Sequence, residues 1–373
     1  MGFGDNIFQL GIKELRSLWH DKVLLVFVLF AFSGMIYSVS SSTSMELHNA
    51  PIAVVDEDQS PISKRIIQAF YGPYFKAPDL ISQRDMDRSM DNGQYTFVIY
   101  IPHRFQRDLL AGKQPGIQIN IDATRMGQAF IGDNYIQYII SGEINEAIKG
   151  YRSEYQLPIT LTTHIKFNPN LTSAWFGSVM ELMNVITMIS IILTGAAVIR
   201  EREHGTLEHL LVMPITPLQI VSAKIWANGV VILLATTLSL LLVIQGLLQV
   251  PIHGSIALFL FGVTVHLFAT TSLGIFLGTL ARTMPQLGLL MILILLPLEM
   301  LSGGITPRES MPVLVQDIMQ LAPTTHFVSF AQSILYRGAG WDAVWPQFLA
   351  LLGMGVVFFL VALARFRKSV ALG

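Results

Sequence analysis

Three glutamates, two arginines and two histidines crowd into the stretch from Arg200 to Pro214. Residues of these types could transfer protons, hold a metal ion or dock a charged partner. Metal binding finds no support in spacing: His103, His164, His204, His209 and His253 show no paired arrangement of the kind zinc requires. The chain has no cysteine, which excludes disulfides, thiolate zinc sites, iron–sulfur clusters and cysteine nucleophiles. No serine triad and no dinucleotide glycine pattern appears. Gly112-Lys113 is followed by Gln114 and lacks an upstream glycine, so no phosphate-cradling P-loop is present. Asp56-Glu57-Asp58 offers carboxylates for a cation but lacks calcium-loop spacing, and reads instead as a solvated turn. Three further ionisable residues, Glu181, His266 and Glu299, sit inside strongly apolar stretches. Ionisable groups in hydrocarbon are costly and often mark a transport path. The plain alternatives are headgroup water for the two glutamates, with Arg308 a candidate partner, and a helix–helix hydrogen bond for His266.

The elements that must position these residues are membrane helices. Apolar residues make up 52% of the chain and charged ones only 13%, about half the usual share. Six stretches approach the roughly 20 apolar residues that cross a bilayer. They are 23–39, 174–199, 225–250, 256–281, 286–301 and 343–364. Lys13, Arg16, Lys22, Arg200, Arg202, Lys224, Arg282, Arg365, Arg367 and Lys368 flank one set of ends, whereas the opposite short loops hold only Arg308 and Arg337. The positive-inside bias puts the first set, and both termini, in the cytoplasm. A cleaved signal peptide over 23–40 is the competing reading of the first stretch; an uncleaved span is expected. A net charge of −1 gives no reason to expect a nucleic-acid partner.

Residues 41–173 break the apolar pattern. Strands are predicted at 52–55, 95–101, 117–121 and 161–167. Helices are predicted from Ser60-Pro61 through Phe70, over 105–110 and over 129–148. The alternation implies an α/β layer domain on the outer side. Asn6 to Leu18 forms an amphipathic helix suited to the cytoplasmic interface. Residues 303–340 are rich in glycine, proline and serine yet apolar, and read as short helices dipping into the outer leaflet. Span four carries Gly262, Thr270, Thr271, Ser272, Gly274 and Gly278, which suit close helix packing or a dimer seam. The expected fold is therefore an α-helical polytopic membrane protein with six transmembrane helices and a large α/β extracytoplasmic domain between spans 1 and 2. The expected parts are an interfacial helix 1–22, a first span 23–40, the outer domain 41–173, a second span 174–200 and a charged cytoplasmic loop 201–222. Residues 223–373 hold the remaining spans with the outer segment 303–340.

Within the charged loop, Gly205 can end the helix in a left-handed conformation. Thr206 can cap a new short helix that turns Leu207, Leu210 and Leu211 to one side. Pro214 ends that helix, and Thr216-Pro217 starts the next. An ordinary solvated turn would look the same on spacing alone. The pattern Glu201-x-Glu203-x-Gly205-Thr206-x-Glu208-x-Leu210-x-x-x-Pro214 resembles the cytoplasmic loop of type-2 ATP-binding-cassette (ABC) export permeases. The likeness extends to Asn168-Pro169-Asn170, to Gly278-x-Leu280-Ala281-Arg282-Thr283-x-x-Gln286, and to Leu301-Ser302-Gly303 with Pro307 and Pro323-Thr324-Thr325.

That resemblance implies a permease without enzymatic activity of its own, in a bacterial inner membrane. Two such subunits, identical or closely related, would pair and dock on separate ATPases that bind ATP and magnesium. Glu201, Glu203, Gly205, Thr206, Glu208, Leu210 and Pro214 would form the coupling element. The Asn6–Leu18 helix would connect to it, and 303–335 would be a re-entrant hairpin. A periplasmic membrane-fusion adaptor and membrane lipid are further partners the family admits. The implied activity is ATP-driven export of a drug-like, lipid-like or other amphiphilic substrate. Two other functions fit parts of the chain: a membrane-anchored periplasmic sensor or assembly protein, and an ion-driven carrier. The carrier would need buried midplane carboxylates, which are not visible.

Overall fold

The structure, a computed structural model, describes residues 2–42, 47, 49–122, 126–149, 172–205 and 215–371. It divides into two compact units, Ser44–Ser173 and the remainder, Met1–Thr43 with Ala174–Gly373. Unit by unit, local sequence explains the elements.

The membrane unit opens with α1 (Phe3–His20). Asp21 then accepts a hydrogen bond from the Leu24 backbone and caps α2 (Lys22–Phe30). A π-helical stretch, Ala31–Met35, leads to α3 (Ile36–Ser42).

The inserted unit holds a four-stranded sheet. Its strands are β1 (Ile52–Asp56), β2 (Asp79–Leu80), β3 (Phe97–Ile101) and β4 (Gln118–Ile121), in the order β2-β1-β3-β4. β1 lies parallel to β2 and β3, and β4 runs antiparallel to β3. Its helices are α4 (Pro61–Gln68), α5 (Gln83–Asp91), α6 (Phe105–Leu110) and α7 (Met126–Lys149). Ser60 caps α4, and Pro61 opens it with the φ a first turn needs. Side chains alternate across the sheet, so both faces are covered. Ile52, Val54, Phe97 and Ile99 pack with Ile62, Ile66, Phe105, Ile136 and Ile140. On the other face, Ala53, Val55 and Val98 meet Met86 and Met90 of α5. β2 and α5 are additions to the sequence reading: one has two residues, and the other is too polar to show periodicity. The strand expected over 161–167 lies outside the described residues.

The membrane unit resumes with α8 (Ser173–Glu203), α9 (Pro217–Leu238), α10 (Ile256–Leu280) and α11 (Met284–Met300). It ends with α12 (Val313–Met319), α13 (Pro323–Leu335) and α14 (Trp341–Ala371). A second π-helical stretch, Ser239–Leu247, extends α9. Among the described residues, five helices are long and apolar enough to cross a membrane: Lys22–Ser41, Ala174–Glu203, Pro217–Leu247, Ile256–Leu280 and Trp341–Lys368. The sixth expected span, 286–301, falls on α11, which is apolar but shorter, at 17 residues.

α8 and α10 form the centre. Their seam is polar: Ser190 donates to Thr270 Oγ1 at 2.7 Å, and Thr187 Oγ1 lies 2.9 Å from His266 Nε2. The backbones approach closely there, because a Cβ on Gly278 would stand 2.9 Å from the Gly195 carbonyl oxygen, and one on Gly274 would strike Thr194. α13 packs on the same helix. Its Phe330 ring occupies the space a side chain at Gly262 would need, and Phe327 stacks on His266 with centroids 3.9 Å apart.

Candidate functional site

α8 does not stop at Ile199. It carries Arg200, Glu201, Arg202 and Glu203 in its last turn, and each charged side chain meets a different element. Arg200 Nη1 donates to Asp21 Oδ2 at 2.7 Å, at the junction of α1 and α2. Arg202 donates to the carbonyl of Ala281, which ends α10. Glu203 Oε1 accepts from the backbone N–H of Met284, which begins α11. Basic residues also suit a helix C-terminus, where the carbonyls leave a partial negative charge.

Glu201 makes the deepest of these contacts. Lys224 of α9 is 1% exposed, and its ammonium lies 2.9 Å from Glu201 Oε2 and 2.9 Å from Glu14 Oε1 of α1. Lys13 adds a looser contact to Glu201 at 3.8 Å. An isolated ammonium at this depth would be very costly, whereas two flanking carboxylates make its burial tolerable. Burial opposes ionisation of Glu14, yet the adjoining Lys224 ammonium holds its carboxyl below the ordinary value of 4.5. Lys224 is the site residue that sequence reasoning missed. Its charge served only as a sidedness marker, just before the span expected from Ile225. The helix start at Thr216-Pro217 was legible, and Gln219 completes its capping box, but nothing local to Lys224 pointed to Glu14 or Glu201.

α1 is fitted to α9 rather than resting only on an interface. Gly11 is the one fully buried residue of α1, and a side chain there would strike the Trp226 indole. Trp226 Nε1 donates to the Ile7 carbonyl at 3.2 Å, and Phe8 stacks on the indole at 5.8 Å. The charged end of α8 is thus bound to α1, α9, α10 and α11 together.

Gly205 has φ +66, its N–H donates to the Arg202 carbonyl at 3.1 Å, and a Cβ there would meet nothing within 4 Å. Thr206, Glu208, Leu210 and Pro214 lie outside the described residues. Of the expected coupling residues, the structure therefore places Glu201, Glu203 and Gly205.

The three buried ionisable candidates fall elsewhere. His266 is fully buried in the α8–α10 seam already described. Glu181 lies in α8 and Glu299 in α11. Neither glutamate pairs with Arg308, and Glu299 Oε1 has no hydrogen-bond partner among the described residues. The described residues hold no group of three or more metal-ligating side chains.

Comparison with known proteins bears on this geometry. Residues 23–364 match the model of the ABC-2 family transporter proteins. The chain is 60% identical over 365 residues to the "Inner membrane transport permease YhhJ" of Escherichia coli (strain K12), covering 98% of both proteins. It is 29% identical over 370 residues to the "Probable multidrug ABC transporter permease YbhR" of the same strain, covering 96% of this chain and 97% of the relative. A more distant likeness joins it to the "ABC transporter G family member 20" of Dictyostelium discoideum. That match is 23% identical and covers 96% of this chain but 50% of the relative.

Proposed function

The chain belongs to the ABC-2 family of transporter proteins, and from that we propose that it is the transmembrane subunit of an ATP-driven exporter. It is a transport component without catalytic activity, and a separate cytoplasmic ABC ATPase supplies the energy. The absence of a P-loop supports a separate ATPase. The names of its relatives, an inner membrane transport permease and a probable multidrug permease, support an inner-membrane location and a drug-like cargo. Two subunits pair, and both termini are cytoplasmic. α11 is the remaining span of six, since 17 residues reach roughly 26 Å, near the lower limit for crossing.

One observation carries the mechanism: the end of α8 is bound through charge to four other helices. Nucleotide-driven closure of the ATPases displaces the segment from Thr206 to Pro214. That displacement enters the membrane unit through Gly205 and reaches a hub in which α1, α9, α10 and α11 must respond with α8. Glu201 and Glu203 transmit rather than dock, since both are engaged within the chain. Glu208 remains to contact the ATPase. The inserted α/β unit, with its own core, is the surface offered to a periplasmic adaptor.

The test is ATP hydrolysis by the permease–ATPase complex in proteoliposomes. Glu208→Lys abolishes permease-dependent stimulation of hydrolysis while leaving membrane insertion and melting temperature unchanged. Full stimulation by this variant, or a purified permease that never retains an ATPase, overturns the reading.

A further inference from the structure

A groove of about 470 Å³ runs along the membrane unit between α1, α2 and the long helix α9. Leu18 and Trp19 of α1 form its head, Leu25 and Leu29 of α2 one wall, and Leu234 and Leu238 of α9 the other. Leu29, Leu234, Leu238 and Leu242 on its rim are 65%, 60%, 58% and 63% exposed, so it opens outward. We infer that this groove binds one acyl chain of an anionic glycerophospholipid, with the lipid's phosphate held by Arg16 and Lys22.

Four observations select that occupant. The first is depth. From Lys22 to Phe32 the groove descends about 15 Å, which is half of a roughly 30 Å hydrocarbon core and so a single leaflet. The second is charge at the mouth. Arg16 lies one turn before Trp19 on the same face of α1, and Lys22 opens α2. Both are exposed, and neither forms an ion pair among the described residues. Lys13, by contrast, is engaged with Glu201.

The third observation is chemistry. The wall is apolar except for Ser33, which donates to the Leu29 carbonyl, and Ser239, whose buried hydroxyl has no partner among the described residues. The fourth is backbone. The two π-helical stretches among the described residues, Ala31–Met35 and Ser239–Leu247, meet at the floor through Phe32, Ser33, Ser239 and Val243. Wide turns of this kind recur at functional sites, because they displace side chains from helical register. Here they open space where two ordinary helices would close on each other. Trp19, 74% exposed, has the amphipathic ring found at the headgroup level.

The experiment uses the intact permease in nanodiscs with phosphatidylglycerol or phosphatidylethanolamine carrying a photoactivatable acyl chain. Crosslinked peptides are mapped by mass spectrometry. Crosslinks are expected on 24–33 and 231–243, with phosphatidylglycerol favoured about tenfold, in line with two basic residues near the surface. Leu238→Trp fills the groove from its exposed rim and removes these crosslinks without lowering the melting temperature. Arg16→Glu combined with Lys22→Glu abolishes the preference for phosphatidylglycerol but leaves the neutral lipid crosslinking. Crosslinks spread evenly over the helix surfaces, equal labelling by both lipids, or no effect of Leu238→Trp each overturns the inference. So does efficient disulfide formation between two copies of Leu238→Cys in this cysteine-free chain, because the groove would then be a subunit interface.

Discussion

Lys224→Met tests the hub at its centre. Methionine keeps most of the volume of the lysine stem but removes the ammonium that lies 2.9 Å from both Glu14 and Glu201. At an effective dielectric of about 20, each contact is worth roughly 6 kcal/mol of Coulomb attraction before desolvation is subtracted. Most of that gross attraction offsets the cost of burying the charges, so the net loss follows the pattern of broken buried pairs, about 3–5 kcal/mol. The two glutamate side chains are only 14% and 11% exposed, so water cannot readily replace the lost cation. On a scale of about 2 °C per kcal/mol for a domain of this size, the melting temperature falls by roughly 6–10 °C. Adding Glu14→Gln and Glu201→Gln removes the stranded charges and recovers at least half of the loss. The assay is fluorescence-detected thermal melting of the detergent-solubilised protein, with elution profile as a folding control. A Lys224→Met protein that melts with the parent, or a triple variant no more stable than the single one, refutes the account of Lys224 as a compensated buried charge.

Three other outcomes follow from the same geometry. Glu14 is held below its ordinary value of 4.5, so its stabilising contribution is complete above pH 4.5 and is lost only as pH falls through its lowered value. The melting-temperature gap between the parent and Glu14→Gln should therefore be wide at pH 7 and should narrow well below pH 4.5. Gly274→Val forces a side chain against Thr194 and within 2.7 Å of the Ile191 carbonyl oxygen. It should cost about 1–3 kcal/mol or more by overpacking and shift the elution profile toward aggregate. Gly205→Val meets no neighbour but is disfavoured at φ +66 by about 1–2 kcal/mol, a local cost. It should leave the melting temperature nearly unchanged while lowering permease-stimulated ATP hydrolysis severalfold.

Much of the fold was legible because membrane helices announce themselves through long apolar runs. The α/β unit showed through in the apolar run Ile52 to Val55 and in the alternation of Ile117 to Ile121. Asp79–Leu80 did not, since two residues carry no period, and its pairing with β1 is decided by the neighbouring chain. The charged block was legible as a block, and Gly205 as a helix stop. Its partners were not. Glu14 and Lys224 are 210 residues apart in sequence, and nothing local to either one announces the other. Glu201 and Glu203 were read with Glu208 as a single surface feature, because a linear pattern cannot separate the last turn of a buried helix from the loop beyond it. His266 was legible as a residue demanding a partner, but which of the many hydroxyls would supply it depended on the packing of α8 on α10.

The placement of glycine relative to charge is what makes the end of α8 mechanically specific. A force applied to a solvated loop is dissipated by rotation about its many free dihedrals. Here every residue from Arg200 to Glu203 is held by an ion pair or hydrogen bond to another helix. The last such anchor precedes Gly205 by two residues. Displacement of the chain beyond Gly205 must therefore either turn about that residue or move the hub as one body. Moving the hub is the costlier course only if its contacts can break separately. Lys224 prevents that, because withdrawing either Glu14 or Glu201 leaves a buried ammonium half compensated. The buried lysine thus adds little net stability relative to an apolar core, yet it ties α1, α8 and α9 to one buried charge, and that is the property the coupling proposed above needs from this corner of the structure.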